Sequence, residues 1–104
     1  RYAMKSELYE EVIRLPAIQT IETVRFLHEE IRHHFNRLGP LILDVSQVEA
    51  IDAASLQLLA IAFIASRQEA KTLLLQDPSP AFVSASRLLG LNKVFGLSPG
   101  LLPV

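Results

Sequence analysis

Apolar and polar positions along this chain change rhythm several times, and each change marks an element. Glu11 to Leu15 carries a β-branched pair and stops at Pro16, which has no N–H to continue a central ladder. Residues 1–8 offer a preceding edge strand. From Thr20 the spacing becomes helical, with Ile21, Val24, Leu27 or His28, Ile31 and Phe35 three or four residues apart. Thr20 is the expected N-cap, Glu22 suits the first turn, and Gly39-Pro40 ends the helix. Leu41 to Val45 is a continuous apolar strand broken only by Asp44, the pattern of a strand covered on both faces. Asp52 then caps a second helix over Ala53 to Ala70, and Thr72 to Gln76 reads as a third short buried strand. Ser79-Pro80 is an N-cap followed by proline at the first helical position. The third helix sets Phe82, Val83, Ser86 and Leu89 on one side and closes at Gly90, a natural left-handed terminus. The tail from Asn92 holds Val94, Phe95, Leu97, Leu101 and Leu102, so it is expected to pack.

Strands alternating with helices across short connections predict an α/β fold. The sheet should be mainly parallel, of about four strands, joined by right-handed crossovers. The second helix adds something. Leu56, Leu59, Ala60 and Phe63 fall at core spacing, yet Gln57, Leu58, Ile61, Ala62, Ile64 and Ala65 fill the other faces, with no charge before Arg67. A helix apolar all round is covered on both sides, here by the C-terminal tail or by a partner.

Length and composition narrow the classes. With 104 residues the chain is expected to be one domain, residues 1–104 with a core over about 11–97. It opens on Arg1 rather than Met, and a longer natural chain is the expectation. Half the residues are hydrophobic and the net charge is −1, a globular balance with no positive field for a phosphate backbone, so nucleic acid is not an expected partner. Cysteine is absent, which removes disulfides and thiolate zinc sites. No stretch resembles a signal peptide. The longest apolar run, Leu58 to Ala65, is far short of the roughly 20 residues that span a bilayer. Direct membrane insertion is not expected, and a cytoplasmic location is.

Sites of chemistry are hard to assemble. Asp44 ends a strand where a receiver domain keeps its phosphorylated Asp, but Pro16-Ala17 and Asp77-Pro78 do not supply the acidic pair and lysine that such a site needs. Asp44 reads instead as a loop cap. His28 and His33 are five apart, on different helix faces, and miss the i, i+4 chelate of a zinc helix. His33 and His34 read as a solvated helix end. Asp52 with Ser55 lacks a histidine and a nucleophile elbow. The sequence therefore predicts a non-enzymatic domain with no catalytic residues, no metal and no cofactor.

Four pieces occur in order. They are Arg14-Leu15-Pro16 with Gln19 to Val24, Leu41 to Ser46, Ile51-Asp52 with Leu56-Gln57-Leu58-Leu59, and Leu75 to Pro80 leading to Leu88-Leu89-Gly90-Leu91. Together they resemble the STAS domain of bacterial anti-sigma factor antagonists, over roughly residues 11–97. In that family an Asp, two hydroxyl residues and a Gly open the second helix, and the second hydroxyl is phosphorylated. Here the four positions are Asp52, Ala53, Ala54 and Ser55. The resemblance implies a cytoplasmic module that binds a protein partner, an anti-sigma factor or a histidine-kinase-like serine kinase, in sigma-factor or chemotaxis signalling. A homodimer is also compatible with it. Phosphorylation at the usual position is not expected, because Ala54 has no oxygen. Ser55 stands one residue later, about 100° around the helix. It reads as a helper of Asp52, with a displaced acceptor and a partner contact as its other readings. An acidic residue common before the first helix in phosphorylated members corresponds to Thr20. The implied partner-binding set is Asp52, Ala53, Ala54, Ser55, Gln57, Leu58 and Ile61. The alternative function is an accessory subunit of an ABC-type lipid transport complex, since those subunits also resemble STAS domains without a phosphoacceptor.

Overall fold

The computed structural model describes residues 10–37 and 39–97. In chain order the elements are β1 (Glu11–Arg14), β2 (Ile18–Gln19), α1 (Ile21–His34), β3 (Leu41–Asp44), β4 (Ala50–Ile51), α2 (Ala53–Gln68), β5 (Leu73–Gln76) and α3 (Pro80–Leu88). The edge strand expected over residues 1–8 lies outside the described residues.

β1, β3 and β5 form a parallel sheet in that order, with Glu11 beside Leu41 and Leu41 beside Leu73. β2 and β4 make a separate parallel pair, Ile18 beside Ala50 and Gln19 beside Ile51. The mainly parallel α/β architecture is the one expected; among the described residues its strands form a group of three and a pair. Two successive crossovers step the same way across the sheet. With both right-handed, α1 and α2 fall on one face, where they pack against each other.

That face is the core. Leu41, Leu43 and Leu73 point into it, to meet Val24, Leu27 and Ile31 of α1 and Leu56, Leu59 and Phe63 of α2. The opposite face carries Val12, Ile42 and Leu74 in register. Val12 and Leu74 are about half exposed, at 52% and 51%. This corrects the reading of β5 as a buried strand: its residues alternate, and only one side is covered. β3, between its neighbours, is buried throughout.

Helix ends follow local chemistry. The Thr20 N–H donates to Thr23 Oγ1 at 2.9 Å, and Gln19 Nε2 donates to the same oxygen at 2.6 Å. Ser79 Oγ accepts from Phe82 N–H and donates to the Val48 carbonyl, so one hydroxyl caps α3 and fastens the loop before β4. α2 stops at Gln68, two residues before its expected end, because Ala70 turns to a left-handed φ of 56°. The Lys71 N–H then bonds back to the Ser66 carbonyl at 2.7 Å, the closing pattern of a helix that usually has glycine there. Gly90, at φ 70°, ends α3 as its residue type predicts.

The tail does pack. Phe95 is buried between Phe63 and Phe82, with ring centroids 5.2 and 5.3 Å away. Arg67 donates to the Val94 carbonyl. Leu101 and Leu102 lie outside the described residues.

Candidate functional site

Two short loops deliver the chain to the start of α2, and each is tied to the other. The Ala17 carbonyl accepts from Glu49 N–H at 2.7 Å and Ala50 N–H at 3.0 Å, and the Gln19 carbonyl accepts from Asp52 N–H at 3.2 Å. Buried Val48 pins the loop from below. Asp52 is thereby held between two helix starts. Its Oδ1 accepts from Ser55 N–H at 2.8 Å, and its Oδ2 accepts from Ile21 N–H at 3.1 Å. One carboxylate caps α2 and also takes an orphan donor of α1, so the positive ends of both helices meet on a single negative charge. The cap of α2 was legible from Asp52 before an apolar run; the link to α1, 31 residues away, had no local signal.

The Asp52 carboxyl is held below the usual carboxylate value chiefly by Ser55, with burial opposing and the Ile21 N–H adding the smallest downward effect. Asp44 is lowered too, by the Ser46 hydroxyl and N–H and then by Arg14. Its Oδ1 accepts from Ser46 N–H at 3.0 Å and its Oδ2 lies 3.2 Å from Arg14 Nε. Asp44 is thus the loop cap expected, with an ion pair added.

Ala53 and Ala54 are exposed at the first turn of α2. Ser55 is fully buried, and its Oγ has no hydrogen-bond partner among the described residues. This corrects two readings of Ser55. A hydroxyl sealed under the first turn meets neither a kinase nor a partner surface, because position N3 of this helix faces the core. Its N–H, bonded to Asp52, does help the cap as expected. Of the remaining candidates, Asp52, Gln57 and Ile61 are exposed with the two alanines, while Leu58 is half-buried against the core.

Sequence reasoning missed how far this apolar surface extends. Ile18 is 62% exposed in β2, Ile61 57% and Ile64 43% in α2. Ile64 was among the apolar residues of α2, but its face was not separable from the covered ones. α1 shields one flank of α2, Phe95 and Val94 the other, and the stripe Ala54, Gln57, Ile61, Ile64 stays open.

His34 is not solvated as expected. It is half-buried, and its Nδ1 pairs with Glu11, which Arg37 also meets at 3.2 Å. Among the described residues no three His, Cys, Asp or Glu side chains are grouped to hold a metal, and no helix is long and apolar enough to cross a membrane.

The second helix of this parallel α/β domain thus opens on a shared Asp cap and carries an apolar outer stripe. Residues 4–103 match the family described as "Mlab, STAS domain", and the chain belongs to that family. Among solved structures it is similar to the "sulfate transporter family protein from Wolinella succinogenes", with a TM-score of 0.72 over 84% of this chain and 71% of that one. At 18% identity that likeness is one of fold. No curated protein matches.

Proposed function

We propose that this STAS domain is a non-enzymatic protein-binding module that docks through the start and outer stripe of α2 and stays permanently competent to bind. The observation that carries this reading is the chemistry of the first turn. The exposed positions Ala53 and Ala54 have no hydroxyl, and the one hydroxyl nearby, on Ser55, is buried. A phosphoryl group would bring about −1.5 to −2 charges to such a surface, and here it has no accessible oxygen to join.

That favours the accessory-subunit reading over the switching one. A partner-switching regulator of sigma factors or chemotaxis releases its partner when the helix start becomes charged. A subunit that rides on the ATPase of an ABC-type lipid transporter needs no such release.

Replacing Ala54 by Glu tests the reading. The partner is captured from the source cell and identified by mass spectrometry, and its affinity is measured by calorimetry. An unpaired carboxylate in an apolar contact costs about 2–5 kcal/mol, or roughly 30- to several-thousand-fold in affinity. The variant should melt like the parent, since a carboxylate near a helix N-terminus is mildly favourable. A transporter ATPase as the captured partner supports the subunit role; an anti-sigma factor moves the chain to the switching role. Unchanged affinity in a folded variant places the docking surface elsewhere.

A further inference from the structure

The docking stripe of α2 does not stand alone, because α1 borders it and the two walls differ in charge. A groove of about 290 Å³ lies between them, floored by Ile31, Phe35, Ala62 and Ala65 and walled on the α2 side by Ile61. The α2 wall has no charge from Ala53 to Ser66. On the α1 wall the charged lining residue is Arg32, between His28 and Asn36. Arg25 stands one turn before His28 on the same flank. At 100° per residue, Arg25 and Arg32 are within about 20° of each other, while Glu22 and Glu29 are turned roughly 40–80° to the far side. Neither arginine makes an ion pair among the described residues. The groove's own carboxylate is Glu69, at its far end.

We infer that this groove takes an acidic amphipathic helix of the partner protein, with apolar side chains against Ile61, Ile64 and Ala65 and carboxylates beside Arg25 and Arg32. The inference rests on the docking surface proposed above and adds the chemistry of what docks. Ala54, Gln57, Ile61 and Ile64 repeat at helical spacing, and the stripe from Ala54 to Gln68 is about 21 Å long, room for roughly 14 residues of helix lying alongside. A second copy of this chain is a poor fit. Among the described residues its open uncharged helix face is the same α2 stripe, which brings no carboxylate to the arginines.

Two synthetic peptides of about 16 residues test this. Both carry leucine at i, i+3, i+7 and i+10, one with glutamates and the other with lysines at the flanking positions. Each is titrated against the full chain by fluorescence anisotropy, with amide shifts mapping the site. The glutamate peptide should bind at least about tenfold more tightly, shift residues of α1 and α2, and lose its advantage at high salt. The pair Arg25→Glu and Arg32→Glu should reverse the preference without changing the melt. Equal binding, preference for lysine, saturation by neither peptide, or shifts elsewhere would overturn the inference. A dimer in light scattering whose α1 and α2 shifts vanish on dilution would also overturn it and give the groove to a second copy. The captured partner separates this inference from the function proposed above. If Ala54→Glu blocks that partner and the arginine pair does not, the docking surface stands and the acidic helix falls; if neither matters, both fall.

Discussion

Asp52 is an ordinary N-cap by sequence and a two-helix clamp by structure. The first role was legible because an Asp before an apolar run is a local signal. The second was not, since Ile21 meets it only after β3 and the loops have folded. Its titration gives the clamp a pH signature. A carboxyl lowered in the folded state adds stability above its unfolded value, near 3.8, and that stability is lost as pH falls through the folded value. Asp52→Asn leaves one carbonyl oxygen for two donors and nothing to titrate. In thermal melts across a pH series the variant should melt below the parent at neutral pH. The gap should close as pH drops below about 4, because the parent alone loses this contribution. Asp44 shifts in the same direction and is present in both proteins, so the difference isolates Asp52. Parallel acid limbs would mean that Asp52 is not the clamp.

At the scale of elements, α2 shows what periodicity does and does not convey. An apolar run from Leu58 to Ala65 announced a helix covered on more than one side, and so it is, by the sheet, α1 and the tail. Which stripe stayed open depended on where Phe95 landed, and that contact spans 32 residues of sequence, beyond any local pattern. The end of α2 misled for a different reason. Without a glycine after Gln68 nothing in the sequence marked a left-handed residue, and Ala70 adopts that conformation at the expense of steric strain. Ala70→Gly should relieve it and raise stability by about 1 kcal/mol, read as a higher urea midpoint with an unchanged slope. No gain would show that Ala70 is unstrained.

For the whole molecule, the direction of the crossovers matters more than any segment. Because both step the same way, α1 and α2 gather on one side of the three-stranded sheet, and Val12 and Leu74 are left half exposed on the other. The parallel sense of the sheet was legible from the alternation of elements. The open face was not, because Leu73, Leu74 and Leu75 look alike in sequence. A matched pair of substitutions distinguishes them. Leu73→Ala should cost about 2–5 kcal/mol, as for a buried leucine, whereas Leu74→Thr should cost under about 1 kcal/mol. Comparable losses in chemical denaturation would place Leu74 in a second core.

The shared cap has a further consequence in the time domain. Two helices that begin on one carboxylate cannot fray independently: when the Asp52 side chain swings away, the amides of Ile21 and Ser55 lose their acceptor in the same event. Native-state hydrogen exchange should therefore report one opening free energy for these two protons, although 34 residues of chain separate them. A helix settling into the groove between α1 and α2 would slow both together, whichever wall it touched first.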